Sequence, residues 1–197
     1  MFDPLLESVI REVDAECRRL EIPMLGPQKA TRLCELIREA RPKLVVEVGT
    51  AIGYSGLWIA GTLRELGGGR LITLEQDAKR AAEAARNFEK AGVADRISQI
   101  IGDARKRIAD VAEPIDLLFL DGGFANYHPC LKACMPRLRD GALLVADNAG
   151  IGADQMKDYL DHVRSHYPSR TEWFETDLAW NPRDAMEISQ FRAGKGE

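Results

Sequence analysis

Five short, mostly apolar runs in the sequence each end in a carboxylate or in a carboxylate next to an amide. Carboxylates accept hydrogen bonds from hydroxyls and pair with ammonium groups, and together with amide oxygens they bind hard divalent cations. Runs of this kind predict buried strands. Because the carboxyl ends of parallel strands share one edge of a sheet, we expect these groups to surround a common ligand. They are Glu47, Glu75, Asp103, Asp121 and the pair Asp147-Asn148.

The stretch KLVVEVGTAIGYSGLWIA, residues 43–60, predicts a strand, a glycine turn and the start of a helix. Such a turn places backbone N–H groups and the positive end of a helix beside a ligand. A dinucleotide-binding loop requires G-x-G-x-x-G, whereas this chain has Ala51 where the second glycine belongs, between Gly49 and Gly53. The loop therefore favours another ligand, and a dinucleotide-dependent oxidoreductase is kept as an alternative.

The rest of the chain supplies the elements that position these groups. Helical periodicity alternates with strand-like runs, which is typical of parallel βαβ units. The last two strands, TEWFETD and DAMEISQF, have no helix between them, so one of them is expected to be antiparallel. We predict a single α/β domain over residues 1–197, doubly wound around a mostly parallel seven-stranded sheet with a final antiparallel strand. Residues 1–42 are expected to form a helical extension packed on it.

Composition narrows the range of partners. The 197 residues carry a formal net charge of −4 and no strongly basic run, so nucleic acid is not expected as a partner. No apolar run approaches the ~20 residues of a membrane span, and the acidic, amphipathic start lacks the pattern of a signal peptide. The four cysteines have no paired C-x-x-C spacing, which favours reduced thiols in a cytoplasmic protein.

Several segments, in order and spacing, resemble one enzyme family. E-x-G-x-x-x-G in VVEVGTAIGYS is followed by LITLEQD, AGVADRI, IDLLFLD and LLVADN. This series is similar to the S-adenosylmethionine-dependent O-methyltransferases of the catechol and caffeoyl-CoA type, a metal-dependent family acting on small molecules. The resemblance covers nearly the whole chain and implies a Rossmann-like class I methyltransferase fold.

With S-adenosylmethionine as ligand, each polar group acquires a task. Glu75 is placed to accept both ribose hydroxyls, and Asp103 with the backbone of Ala104 to meet the adenine edge. Ser55 at a helix N-terminus suits the methionine carboxylate, and Asp121 suits the ammonium group. Three further cofactor contacts are expected from the glycine loop, and the resemblance implies one from the backbone at Leu25-Gly26. These residues are Glu47, Gly49, Gly53 and Leu25.

The resemblance also implies a divalent cation. In the family, the first Asp of a D-x-x-K motif and a later Asp-Asn pair bind the ion, and the matching residues here are Asp121, Asp147 and Asn148. These oxygen ligands suit Mg²⁺ or Ca²⁺. Such an ion would orient a vicinal diol and lower the pKa of the acceptor hydroxyl.

One departure from the family affects the acceptor chemistry. The family's D-x-x-K lysine is thought to act as the base, but this chain reads D-G-G-F with Phe124 at that position. Phenylalanine cannot accept a proton, and the candidate replacements are His128 and Asp121. His162 and His166 are one helical turn apart, a spacing that can bind metal, but with no third ligand nearby a solvated helix face is expected.

The sequence therefore predicts an O-methyltransferase that methylates a hydroxyl of a small, aromatic acceptor. Asp121 and His128 are its catalytic candidates. Because of Phe124, a cofactor-binding relative with altered or lost catalysis is kept as a second alternative. A homodimer is the assembly considered, and no membrane partner is expected.

Overall fold

Helices and strands alternate along the chain in a computed structural model that describes residues 2–194. The strands are β1 (Leu44–Val48), β2 (Arg70–Glu75), β3 (Ile97–Ile101), β4 (Ile115–Leu120), β5 (Leu138–Ala146), β6 (Ser169–Glu175) and β7 (Arg183–Gln190). The helices are α1 (Pro4–Leu20), α2 (Pro27–Ala40), α3 (Tyr54–Glu65), α4 (Ala78–Lys90), α5 (Ala104–Arg107), α6 (Tyr127–Cys134) and α7 (Lys157–His166).

The seven strands form one sheet in the order β3-β2-β1-β4-β5-β7-β6. Neighbours from β3 through β5 are parallel, and β7 runs antiparallel to both β5 and β6. The sheet confirms the predicted doubly wound topology with its antiparallel strand near one edge. The strand order reverses direction between β1 and β4, and in open α/β sheets ligands bind in the crevice at this point.

Both faces of the sheet are covered by helices because the central strands are apolar on both sides. In β1 all five residues are buried. Val45 faces a core shared with α1, α2, α3 and α4, and Val46 faces a core shared with α5, α6 and α7. The helical extension takes part in the first core through residues such as Leu6 and Leu33. It therefore packs as a layer of the same domain.

Two helices begin at aspartate caps. The Asp3 carboxylate accepts hydrogen bonds from the backbone N–H groups of Leu5 and Leu6, each at 3.1 Å, and Pro4 opens α1. Asp77 caps α4 in the same way. The start of α4 flanks the ligand crevice, so this cap also orders one of its edges.

The four cysteines are buried and unbridged. None of the helices in residues 2–194 is long and apolar enough to cross a membrane.

Candidate functional site

A cavity of about 330 Å³ opens at the carboxyl ends of β1, β2 and β4. The segment between α1 and α2 closes one side of it, and the loop after β4 closes the other. The sequence-predicted site residues on its wall are Leu25, Gly49, Ser55, Glu75, Ala104, Asp121 and Asn148. Those that lie elsewhere are Glu47, Gly53, Asp103, His128 and Asp147.

Gly49 is required where β1 meets the loop after β4. Its φ is +107°, and a Cβ added there would lie 2.2 Å from the backbone oxygen of Asp121. Its N–H donates to the Leu74 carbonyl at 3.0 Å. The close backbone approach brings the ends of three strands together, which no side chain at this position would allow.

Glu75 is held in place on the cavity wall by backbone groups. Its Oε2 accepts a hydrogen bond from the N–H of Ala51 at 2.8 Å, and its Oε1 accepts one from the N–H of Asp77 at 2.9 Å. Ala51 has a φ of +45°, so this turn adopts a conformation that L residues seldom take. Each carboxylate oxygen keeps a second lone pair, which leaves Glu75 able to accept two vicinal hydroxyls.

Glu47 does not face the cavity, which corrects the expectation of direct ligand contact. Its side chain has no exposed surface, and it accepts hydrogen bonds from Ser55 Oγ and Thr73 Oγ1. Glu47 points into the core beneath α3, because alternate residues of a strand share a face and Val45 of the same strand lies in that core. Ser55, which donates to Glu47, connects it to the cavity wall.

Gly53 and Asp103 lie next to residues of the cavity wall but do not line the cavity themselves. Gly53 has a φ of +96°, and a Cβ there would meet the Phe88 ring at 2.7 Å, so this glycine permits the turn into α3. The Asp103 carboxylate accepts hydrogen bonds from the backbone N–H and the guanidinium of Arg105. Asp103, expected at an adenine edge, therefore does not line the cavity, whereas Ala104 does.

A buried lysine joins the ends of β5 and β7 beside the cavity. Lys29 of α2 has no exposed surface, and its Nζ lies 2.7 Å from both carboxylate oxygens of Asp147. It also lies 2.8 Å from Asp184 Oδ2, which accepts the Asn148 side-chain amide at 2.9 Å. Lys29 thus fixes two acids and, through Asp184, the orientation of Asn148.

Burial and charge move the pKa values of these acids in different directions. Burial raises the pKa of Asp147 to about 6 despite Lys29. Burial also acts upward on Asp184, but Lys29 and donors that include the N–H of Ile151 outweigh it and lower that pKa to about 2. Burial and the Asp147 charge raise the pKa of Asp121 well above its ordinary value. A cation bound beside Asp121 would therefore find an acid that its charge helps to ionise.

The oxygens at the ends of β4 and β5 fit a hard divalent cation. Asp147 Oδ1 is buried and lies 2.7 Å from the Lys29 ammonium, so Asp147 would share its negative charge between Lys29 and a cation. The Asn148 amide nitrogen is engaged by Asp184, which leaves the amide oxygen available. Among residues 2–194, no group of three or more His, Cys, Asp or Glu side chains is arranged to hold a metal. A cation here would therefore depend on the Asn148 oxygen besides Asp121 and Asp147.

Phe124 lies on the cavity wall, and His128 does not. A Cβ added at Gly152 would lie 2.7 Å from Phe124 Cε1, so the ring packs closely on the loop after β5. His128 Nδ1 lies 3.2 Å from Asp158 Oδ2, and its ring centroid is 5.1 Å from that of His162. The start of α6 directs His128 toward α7, so the structure does not bring this catalytic candidate to the cavity.

Sequence reasoning missed Lys29. Its signal was present, because Lys29 stands four residues before Leu33 in the buried stripe of α2, where a cation requires buried acids as partners. It also missed Thr50 and Arg80, which line the cavity. Trp180, in the connection between β6 and β7, is 45% exposed and is not on the wall.

Comparison with known proteins agrees with this geometry. Residues 46–149 match a family model described as a methyltransferase domain. The chain is 33% identical over 195 residues to catechol O-methyltransferase B of Danio rerio, covering 94% of this chain and 72% of that protein. It is 34% identical over 150 residues to a catechol O-methyltransferase of Mycobacterium tuberculosis, covering 74% and 65%. A solved O-methyltransferase from Bacillus cereus in complex with SAH has a TM-score of 0.84 at 21% identity, covering 94% and 91%.

The sheet order and the cavity at the switch point are those of a Rossmann-like, S-adenosylmethionine-dependent methyltransferase. The chain belongs to the O-methyltransferase family that includes the catechol O-methyltransferases. It spans 72% and 65% of the lengths of the two curated relatives, so its acceptor is a matter for proposal.

Proposed function

We propose that this enzyme methylates a hydroxyl of a small aromatic acceptor, using S-adenosylmethionine and a divalent cation at the ends of β4 and β5. The observation that carries the proposal is one continuous cavity lined by two groups of residues with different chemistry. Glu75 and Ser55 line it where the chain leaves β2 and β1, and Asp121, Asn148 and Phe124 line it where the chain leaves β4 and β5.

At the cofactor end, the chain offers polar groups for each part of the ligand. Glu75 would accept the ribose hydroxyls, and Ser55 with the N-terminus of α3 would hold the carboxylate. Asp121 would pair with the ammonium group, and Gly49 leaves room for it. When bound, S-adenosylmethionine would supply an electrophilic methyl group, which passes to the acceptor oxygen as the sulfonium sulfur leaves as a neutral thioether. The residues contribute mainly by orientation, which can account for ~7–11 kcal/mol of barrier lowering.

At the acceptor end, Asp121, Asp147 and Asn148 would hold the cation and Phe124 would form an apolar wall. A bound Mg²⁺ supplies Lewis-acid chemistry that lowers the pKa of an acceptor hydroxyl and orients a vicinal diol. The Phe124 ring favours an aromatic acceptor stacked or edge-on beside it. Of the two candidate bases, Asp121 is the one that the cavity contains.

Cofactor binding is tested by thermal shift with S-adenosylhomocysteine, and NAD serves as the control ligand. Because a ligand that binds only the folded state stabilises it, S-adenosylhomocysteine should raise the melting temperature and NAD should not. Stabilisation by NAD alone would contradict the proposal.

The cation is tested by methyl transfer to a panel of phenols in EDTA and after addition of Mg²⁺. Activity should fall with chelator and return with metal. Asn148→Gly removes the amide oxygen while tolerating the local φ of +59°, and it should raise the Mg²⁺ concentration required. Asn126→Ala, another cavity position, is the matched control. Full wild-type activity in chelator would remove the cation from the proposal.

A further inference from the structure

A line of hydroxyl groups leads from the cavity wall to a buried carboxylate and back to the wall. Thr50 and Ser55 line the cavity, whereas Glu47 and Thr73 lie behind it with no exposed surface. Thr50 Oγ1 and Thr73 Oγ1 are 2.5 Å apart, and Thr73 Oγ1 donates to Glu47 Oε2 at 2.5 Å. Ser55 Oγ donates to the other carboxylate oxygen, Oε1, at 2.5 Å. Glu47 therefore reaches the ligand only through neighbouring side chains.

Within residues 2–194 no cation pairs with the Glu47 carboxylate. The charged groups that interact with it are acids, Glu75 at the end of β2 and Asp121 at the end of β4. α3 and the turn before it present hydroxyl groups, and the buried lysine of α2, Lys29, is engaged by its own two aspartates. Loss of contact with water raises the pKa of Glu47 to about 7, although its two hydroxyl donors oppose this.

Counting protons along this line separates two states. With Glu47 ionised, the single proton of Ser55 is used on Glu47, and only oxygen lone pairs of Ser55 can face the cavity. A cofactor carboxylate at Ser55 would then meet lone pairs and a second buried negative charge. With Glu47 neutral, its own proton can be donated to Ser55 Oγ, and the Ser55 proton becomes free for the cofactor carboxylate. The neutral state is therefore complementary to an anionic ligand, and the ionised state is not.

We propose that Glu47 is a positioning residue that takes up one proton from solvent as the cofactor binds and donates it to Ser55 Oγ, which turns the Ser55 hydroxyl toward the cofactor carboxylate. The inference rests on the proposed placement of that carboxylate at Ser55. No covalent bond changes: one solvent proton moves to Glu47, and the Ser55 hydroxyl exchanges one acceptor for another. Cofactor affinity is then linked to pH through a residue that the ligand never touches.

The test is calorimetric titration with S-adenosylhomocysteine at pH 8 in two buffers that differ in ionisation enthalpy, which gives the number of protons taken up. Glu47→Gln is the matched variant, because its amide donates permanently to Ser55 Oγ and its oxygen still accepts from Thr73. Asp121 also releases protons when it pairs with the ligand ammonium, and because the Glu47 charge contributes to the raised pKa of Asp121, this release differs between the two proteins. Decarboxylated S-adenosylhomocysteine keeps the ammonium group and lacks the carboxylate, so subtracting the proton count it gives in each protein leaves the contribution of Glu47.

Wild type should take up close to one proton more than Glu47→Gln. Relative to the affinity of Glu47→Gln, the affinity of wild type should fall by about tenfold for each pH unit above pH 7. With decarboxylated S-adenosylhomocysteine, which lacks the anionic group, the difference should shrink to the contribution of Asp121 alone. Ser55→Ala should also abolish the pH linkage, since the acceptor of the Glu47 proton is removed.

Equal proton uptake and parallel pH profiles in the two proteins would overturn the inference while leaving cofactor binding intact. If S-adenosylhomocysteine binds neither protein, the proposed function fails first, and the thermal-shift result identifies that case. If Glu47→Gln does not fold, infrared difference spectra of wild type decide. A new protonated-carboxyl band on ligand binding at pH 8 supports the inference, and its absence overturns it.

Discussion

The two ends of the cavity are built differently. At the cofactor end, the polar side chains are already satisfied by protein groups: Glu75 by two backbone N–H groups and Glu47 by two hydroxyls. At the acceptor end, Asp121 lies partly exposed, and Phe124 stands where the family has its lysine. The outer surface there carries exposed apolar residues such as Ile151 and Trp180.

The difference reflects what each end has to recognise. A cofactor that never changes can be met by a rigid set of groups whose positions depend on one another. The acceptor end is stabilised by Lys29, which contacts Asp147 and Asp184 and does not line the cavity. Five variants test this contrast.

Gly49→Ala should have the largest effect, because the cofactor end has no room for change. The left-handed φ and the clash with Asp121 together cost about 2–6 kcal/mol of strain in the folded state. Because the backbone at Asp121 must move to relieve this strain, S-adenosylhomocysteine binding should weaken by ~30-fold or more. Calorimetric affinity is the measurement. Gly123→Ala is the control, since its Cβ would meet only Asn126 Nδ2 at 3.4 Å. A similar small loss in both variants would show that the end is not rigid.

Lys29→Met should destabilise the fold by about 3–5 kcal/mol, because Asp147 and Asp184 would remain buried without their cation. Urea unfolding monitored by circular dichroism measures the change. Lys90→Met removes an exposed ion pair with Glu12 and should cost less than about 1 kcal/mol. Equal costs for the two lysines would contradict the role of Lys29 as the support of the acceptor end.

Phe124→Lys should raise the rate of methyl transfer to catechol by up to ~10²–10⁴-fold, since it supplies a positioned base. Single-turnover rates across phenols of graded pKa are the measurement, and wild type should prefer the more acidic ones. Phe124→Leu removes the ring without adding a base and should not produce this gain. Wild-type rates as fast on weakly acidic catechols as on acidic phenols would show that another base acts.

Glu47→Gln should stabilise the free protein at pH 8 and leave it nearly unchanged at pH 5. The pKa of Glu47 rises from 4.5 unfolded to about 7 folded, so the folded state binds the extra proton between these values. Stability is therefore lost as pH rises through that window, levelling at a cost of about 3 kcal/mol. Unfolding free energies at both pH values measure it, with the exposed Glu89→Gln on α4 as control. A gain at pH 8 no larger than the control's would mean that Glu47 has an ordinary pKa.

Glu75→Ala should weaken S-adenosylhomocysteine binding by about 1–3 kcal/mol, the range for a lost charged hydrogen-bonding partner. Gln76→Ala, the next residue on the same wall, should change it less. An unchanged affinity in a folded Glu75→Ala variant would remove Glu75 from the site.

The sequence by itself determined the fold class and several residues of the cavity wall, because these depend on local patterns. Buried strands are recognisable in the sequence as apolar runs, and helix starts are recognisable by capping residues such as Asp3 and Asp77. Residues that follow parallel strands lie along the same edge of the sheet. The glycine at position 49 and the acid at position 75 could be assigned for that reason, as could the antiparallel strand after the last helix.

Only the tertiary structure decided which of these polar groups face the ligand. Glu47 was expected to contact the ligand, but its side chain lies on the face of β1 that is buried in the core, because successive side chains of a strand point to opposite faces. Asp103 is taken up by Arg105, and His128 is directed to Asp158 by the start of α6. Lys29 meets acids 118 and 155 residues away in the chain. The physical reason is common to all four: a charged side chain takes the partners that the packed elements offer it, and sequence spacing does not encode those long-range contacts.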